Sequence, residues 1–277
     1  MHPLPNLTFV PLNKILLHEQ HDNSRIHPLV IRLRTSGIFR NPPIVTPLKD
    51  SSNTYLVLDG ANRTMALRAL GYPHILVQVV EPHDPGLELQ TWNHIVWEMN
   101  ARRFLNNLGA IPGLEMLPVV MGSVQPDLYE TSNLALVRMA DGTTYSLCTP
   151  AVKLAERVEF LKRVVNSYQE SARLDRTNTL DVHTLSHIYP LFSGLVIFPQ
   201  IRIRDIMHLA ATGLLLPSGI TRVTISPRAL HVDYPLSELE SEAPIAKKND
   251  RLDQWLKDIL ARKGVRYYAE ATYLFDE

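Results

Sequence analysis

The sequence predicts an α+β fold in two parts, a compact N-terminal unit and a mixed α/β C-terminal unit, and three observations support this. The 277 residues are 45% hydrophobic and 20% charged, which suits a globular chain with one large core or two modest ones. Short runs of β-formers alternate with segments whose apolar residues recur at helical spacing. Loop signals at Asn106-Asn107-Leu108-Gly109 and Pro112-Gly113 mark a boundary, so residues 1–105 and 106–277 are expected as two domains.

Taken in order, Leu12 to Leu17 reads as a short strand or turn, and His18-Glu19-Gln20-His21-Asp22 as a polar loop. A helix follows, with Ser24 as its cap, Ile26, Leu29, Val30 and Leu33 as its apolar stripe, and Gly37 as its stop. Pro42-Pro43 leads into a strand at Ile44-Val45, and Tyr55 to Leu58 is rich enough in β-formers for a buried strand. Asp59-Gly60 breaks it, and Thr64 to Leu70 is a run of helix formers ending at Gly71. Ile75 to Val80 is a further strand, and a helix is expected from Glu88, carrying Trp92 and His94.

The second part opens on a hairpin, Leu134 to Met139 and Thr143 to Leu147, around the turn Ala140-Asp141-Gly142. Val152 to Tyr168 is an amphipathic helix with Leu154, Val158, Leu161 and Val165 on its buried stripe. A strand near Leu195 to Phe198, a helix near Arg204 to Ala211, strand-like Arg222 to Ile225 and Ala229 to Val232, and a last helix over Asp250 to Lys263 complete the chain.

Composition narrows the function classes. Lys+Arg and Asp+Glu each total 28, so no global field draws in a polyanion, which argues against nucleic acid as partner. The single Cys148 allows no internal disulfide and no CxxC motif, which fits a reducing, cytoplasmic setting. The first ten residues show no secretory signal. The most apolar later stretch, Leu191 to Ile203, is broken by Pro199 and Arg202 and falls short of the roughly 20 residues a membrane span needs. No heptad or apolar stripe marks an oligomer interface.

The chemistry concentrates at Leu58-Asp59-Gly60-Ala61-Asn62-Arg63-Thr64. A strand that turns through Asp-Gly straight into a helix presents the N–H groups of residues 61 to 64 at the positive end of the helix dipole, where phosphate binds. Gly60 admits close approach, Arg63 adds a bidentate cation, and Asn62 or Thr64 donates from the side chain. The same residue types also serve as plain helix caps, and on spacing alone both readings stand. Likewise Trp92 and His94 read either as a wall of a pocket between the domains or as core. His18 and His21 lack a third His or Cys at ligand-like spacing, so zinc is not expected.

The run from Leu58 to Gly71, strand-Asp-Gly-x-x-Arg followed by an Ala-rich helix and Leu-Gly, resembles the signature of the ParB/sulfiredoxin-like superfamily over residues 8 to 80. Sulfiredoxins need a cysteine in this motif, where the chain has Ala61 and Asn62. Partition-type ParB proteins follow the domain with a helix-turn-helix, where residues 130 to 232 look strand-rich. The third branch, the free L-serine kinases, is the most similar, with a His-Glu pair in the first loop (His18-Glu19) and related segments at Gly213 to Pro217 and Thr221-Arg222.

That resemblance implies phosphoryl transfer from ATP or ADP, with Mg²⁺, to the hydroxyl of free L-serine. The product, O-phospho-L-serine, would feed a cysteine-type or siderophore-precursor pathway. Glu19 is then the base, Asp59 a catalytic and Mg²⁺-holding carboxylate, and residues 60–64 the phosphate cradle. Thr221 and Arg222 are then substrate contacts, and Trp92 and His94 remain substrate-binding candidates by their position between the units. The chain departs from the pattern at Val223-Thr224, where serine kinases often carry a histidine, and at Ala61-Asn62, where some carry two. A ParB-like nucleotide-dependent DNA-binding or regulatory protein is the alternative reading.

Overall fold

The computed structural model describes residues 4–21, 23–48, 53–129 and 132–268. Its α+β architecture agrees with expectation: the described strands form a five-stranded sheet, a six-stranded sheet and two two-stranded ones, and the helices over Leu154–Gln169 and Ile203–Ala211 pack into a core shared by the two larger sheets. The N-terminal unit begins with β1 (Leu7–Pro11), a 3-10 turn over Leu12–Lys14 and β2 (Ile15–Leu16). It continues with α1 (Asn23–Ser36), β3 (Ile38–Phe39), β4 (Ile44–Pro47), β5 (Tyr55–Asp59), α2 (Ala61–Ala69) and β6 (His74–Val79). Its five strands are ordered β1-β6-β4-β5-β2. Strand β5 runs antiparallel to β4 and parallel to β2. Asp22 and the side chain of Ser24 lie outside the described residues.

The run Leu56-Val57-Leu58 is apolar throughout because this sheet is covered on both faces. Val57 points into a core with Phe9, Leu67 and Ile75, while Leu56 and Leu58 point the other way into the core of the second unit. The strand therefore ends, at Asp59, between the two units.

The chain continues through β7 (Leu87–Thr91), β8 (Asn93–Trp97), α3 (Ala101–Gly109), β9 (Glu115–Val119), β10 (Asn133–Arg138), β11 (Thr144–Cys148) and α4 (Leu154–Gln169). After these come β12 (Arg173–Thr177), α5 (Val182–Ile188), β13 (Gly194–Ile197), α6 (Ile203–Ala211) and β14 (Thr221–Ile225). The last elements are β15 (Tyr234–Pro235), α7 (Leu236–Glu240) and α8 (Ile245–Ala261). The second sheet is ordered β12-β8-β13-β10-β11-β9 and is antiparallel, with the expected hairpin as β10–β11.

Three expectations are corrected. Residues from Glu88 onward form strands, not a helix, because β7 pairs with β14 from Thr91↔Thr221 to Leu87↔Ile225 and β8 lies inside the second sheet. The boundary expected near residue 105 therefore falls inside the second unit, after its strand β8. Residues Ala229 to Val232 form no strand: Gln78 of β6, itself 3% exposed, donates to Pro227 O (2.9 Å) and accepts from Ala229 N–H (2.9 Å), holding this loop by its side chain. After that loop the chain returns to the first unit. Asn249 of α8 accepts from Phe9 N–H (2.8 Å), and Leu252 packs in the core with Phe9. No helix among the described residues is long and apolar enough to cross a membrane.

Candidate active site

Four segments meet between the units: the loop after β2, the β5–α2 turn, the segment from Leu216 into β14, and the loop of Arg228. They enclose a cleft of about 510 Å³ lined by Glu19, Asp59 to Arg63, Trp92, Arg176, Gly219, Thr221, Arg222 and Arg228 among others. A larger hollow of about 800 Å³, against the end of α4, adjoins it and shares Gln20, His21, Arg25, Arg176 and Ser218.

The β5–α2 turn forms because Gly60 takes a left-handed conformation (φ +100°), and a Cβ there would lie 2.9 Å from Pro43 Cβ. The first intrahelical N–H bond is that of Thr64, to Gly60 O (3.0 Å). The helix start at residues 61–63 thus opens on the cleft. Here the cradle expected over residues 60–64 is corrected at its end. Thr64 is fully buried and its hydroxyl donates to Gly60 O (3.1 Å), so its side chain secures the turn and does not face the cleft. Gly60, Ala61, Asn62 and Arg63 do line it.

Arg63 donates to Asn41 O and, at 3.2 Å, to Asp59 Oδ2. Burial pushes its pKa below the ordinary arginine value, and Asp59 works against that shift. Arg228 pairs with the same Oδ2. Both arginines converge on one oxygen, which leaves Oδ1 of this 37%-exposed carboxylate available to a further ligand. Asp59 is therefore the centre of a three-charge cluster, a role for which the sequence motif supplied Arg63 but not Arg228.

Across the cleft, Glu19 is held by the chain 200 residues later. A backbone bridge joins Glu19 to Leu216, with Leu216 N–H to His18 O and Gln20 N–H to Leu216 O both at 2.8 Å. Glu19 Oε2 accepts from Gly219 N–H (2.9 Å), and Oε1 accepts from both the N–H (2.6 Å) and the hydroxyl of Thr221. Thr221 Oγ1 also lies 2.8 Å from Nε2 of His18, whose Nδ1 donates to Val57 O at 2.7 Å. Thr221 thus touches the carboxylate itself. His18 is 5% exposed and anchors this corner to β5.

Trp92 lines the cleft with the Arg222 guanidinium 4.4 Å from its ring centre, a cation–π pair. His94 is 3% exposed and sits at the inner wall of the adjoining hollow. Gly219 O only accepts, so His94 Nε2 carries the proton towards it (3.2 Å), and Nδ1 accepts from Tyr168 (3.1 Å). Its side chain braces Gly219, the residue whose N–H grips Glu19 Oε2, by way of that residue's carbonyl.

Burial, with the nearby Arg176 charge, pushes the His94 pKa down to about 4, with its bond to Gly219 O opposing. The folded form consequently binds fewer protons than the unfolded chain between about pH 4 and 6.5, and stability is lost as pH falls through that window. At pH 5 the contribution is about 2 kcal/mol. Urea unfolding at pH 7 and pH 5 should show a drop in the wild type that shrinks by that amount in His94→Gln. An equal drop in both proteins would contradict the assignment.

No protein-family model matches the sequence. The chain is 25% identical over 286 residues to the ATP-dependent L-serine kinase SbnI of Staphylococcus aureus, covering 100% of this chain and 99% of the relative. It is 32% identical over 83 residues to an ATP-dependent L-serine kinase of Staphylothermus marinus, covering 30% of this chain and 32% of that one. Among solved structures, SbnI with C-terminal truncation from S. aureus superposes with a TM-score of 0.70 at 23% identity, over 94% of this chain and 97% of that one. A free serine kinase in complex with AMP superposes with a TM-score of 0.71 at 18% identity, over 85% and 94%. The chain thus has the fold of the free serine kinases and is similar over its whole length to an ATP-dependent L-serine kinase.

Proposed function

We propose that the protein is a free L-serine kinase that transfers a phosphoryl group from ATP or ADP to the serine hydroxyl, giving O-phospho-L-serine in the cytoplasm. The observation that carries this reading is the placement of Glu19 across one cleft from the Asp59–Arg63 turn. A carboxylate held by the Thr221 strand thereby faces a helix start built for phosphate. Phosphoryl transfer asks mainly for positioning and for neutralisation of spread charge. The helix start at residues 61–63 supplies N–H dipoles, and Arg63 and Arg228 supply two cations.

Glu19 accepts the proton of the serine hydroxyl as the oxygen attacks phosphorus. Its own carboxylate is aimed by the Gly219 and Thr221 N–H groups, and Trp92 and Arg222 wall the acceptor side. The residues fit Mg²⁺, which takes one or two carboxylates together with phosphate oxygens. Oδ1 of Asp59 would hold it, where it would offset phosphate charge. Among the described residues no three His, Cys, Asp or Glu side chains gather to hold a metal by themselves.

Incubation of the protein with Mg²⁺, L-serine and either ATP or ADP should yield O-phospho-L-serine by mass spectrometry, and the active donor is thereby identified. Bound nucleotide with no phosphorylated serine from either donor would overturn the reading.

A further inference from the structure

We propose that Arg176, on the edge strand β12, binds the carboxylate of the acceptor and so restricts the enzyme to free amino acids. This rests on the kinase reading above and extends it to the acceptor's second end. Arg176 lies where the cleft and the adjoining hollow meet, and lines both. Its guanidinium lies over Gly219: a Cβ on that glycine would be 2.2 Å from Nη2, 2.5 Å from Nε and 2.6 Å from Cζ. The N–H of the same glycine holds Glu19 Oε2 at 2.9 Å. Cation and base therefore stand on two sides of one residue.

Serine's hydroxyl and carboxylate are separated by two carbons and lie within roughly 4 Å of each other. A hydroxyl delivered to Glu19 consequently carries its carboxylate into the neighbourhood of Gly219, and a planar guanidinium there meets it in bidentate fashion. The other arginines of the cleft are differently placed. Arg63 and Arg228 are drawn to Asp59 on the phosphate side, Arg222 is stacked on Trp92, and Arg25 of α1, which also lines both spaces, is engaged in an interaction of its own. Among the described residues Arg176 forms no ion pair with a carboxylate, although it lies beside buried His94, whose pKa it helps to lower. A cation without a carboxylate partner, at this distance from the base, matches an anionic end of the acceptor.

The test compares L-serine with ethanolamine, which keeps the hydroxyl and the ammonium but lacks the carboxylate, in wild type, Arg176→Gln and Arg176→Lys. Arg176 is exposed on an edge strand, so the variants should fold, and nucleotide KM serves as the control. Arg176→Gln should raise the KM for L-serine on the order of 10-fold to 100-fold, the worth of a charge-assisted pair. Ethanolamine turnover and nucleotide KM should stay within about two-fold, and Arg176→Lys should recover part of the serine affinity. An unchanged serine KM in Arg176→Gln overturns the assignment, and so does an equal loss with both acceptors. A wild type that phosphorylates neither acceptor overturns the kinase reading itself, and this assignment with it.

Discussion

Replacing Glu19 with Gln should lower kcat for serine phosphorylation by on the order of 10²-fold to 10⁴-fold, the range assigned to a positioned general base, while nucleotide affinity holds. The separation follows from the geometry. Glu19 belongs to the Thr221 side of the cleft, and the proposed phosphate cradle to the β5–α2 turn. Glutamine keeps an oxygen that accepts from Thr221 but turns an NH₂ group towards the Gly219 N–H, so a stability cost of about 1–2 kcal/mol accompanies the change. Calorimetric titration with nucleotide alongside steady-state kinetics distinguishes the two effects. A variant that turns over at the wild-type rate would remove Glu19 from the chemistry.

Gly60→Ala should act on the other half of the site. A Cβ there meets Pro43 Cβ at 2.9 Å, with Pro43 Cα and Arg63 Nη2 at 3.0 Å, and the residue must also keep φ near +100°. A non-glycine residue in that conformation costs about 1–3 kcal/mol, and relief of the clash moves either the helix start or Arg63. Nucleotide affinity should fall about 10-fold or more, with a matching loss of stability in urea. Unchanged affinity would mean that phosphate is bound elsewhere.

These two residues also show what the sequence makes legible. The proposed cradle is contiguous: strand, Asp59-Gly60 turn and helix lie within fifteen residues, and local rules for helix starts and glycine suffice to read that turn. Glu19 stands out by resemblance alone, since a carboxylate in a polar loop carries no local signal of its own. What fixes Glu19 lies about 200 residues away, in the N–H groups of Gly219 and Thr221. Arg176, Arg228, Gln78 and the brace from His94 are not legible in the sequence for the same reason. Each acts through a partner that only the tertiary fold brings close, as when Gln78 holds the Arg228 loop across 149 residues.

The error in secondary structure has the same origin. Leu87 to Thr91 contains good helix formers, but its ladder partner β14 stands 130 positions later at Thr221 and decides the strand. The β10–β11 hairpin and α4, whose signals are local, agree with the structure. So does α1, which ends at Gly37, where the chain turns through φ +64°.

The most direct test of the central claim is a single-turnover experiment. Protein preloaded with nucleotide carrying a labelled terminal phosphate, with Mg²⁺, is mixed with L-serine and quenched over time. Label should pass to O-phospho-L-serine in near-stoichiometric amount from the wild type, and remain on bound nucleotide in Glu19→Gln. Label reaching only water or the protein itself would contradict the account, as would transfer from Glu19→Gln at the wild-type rate.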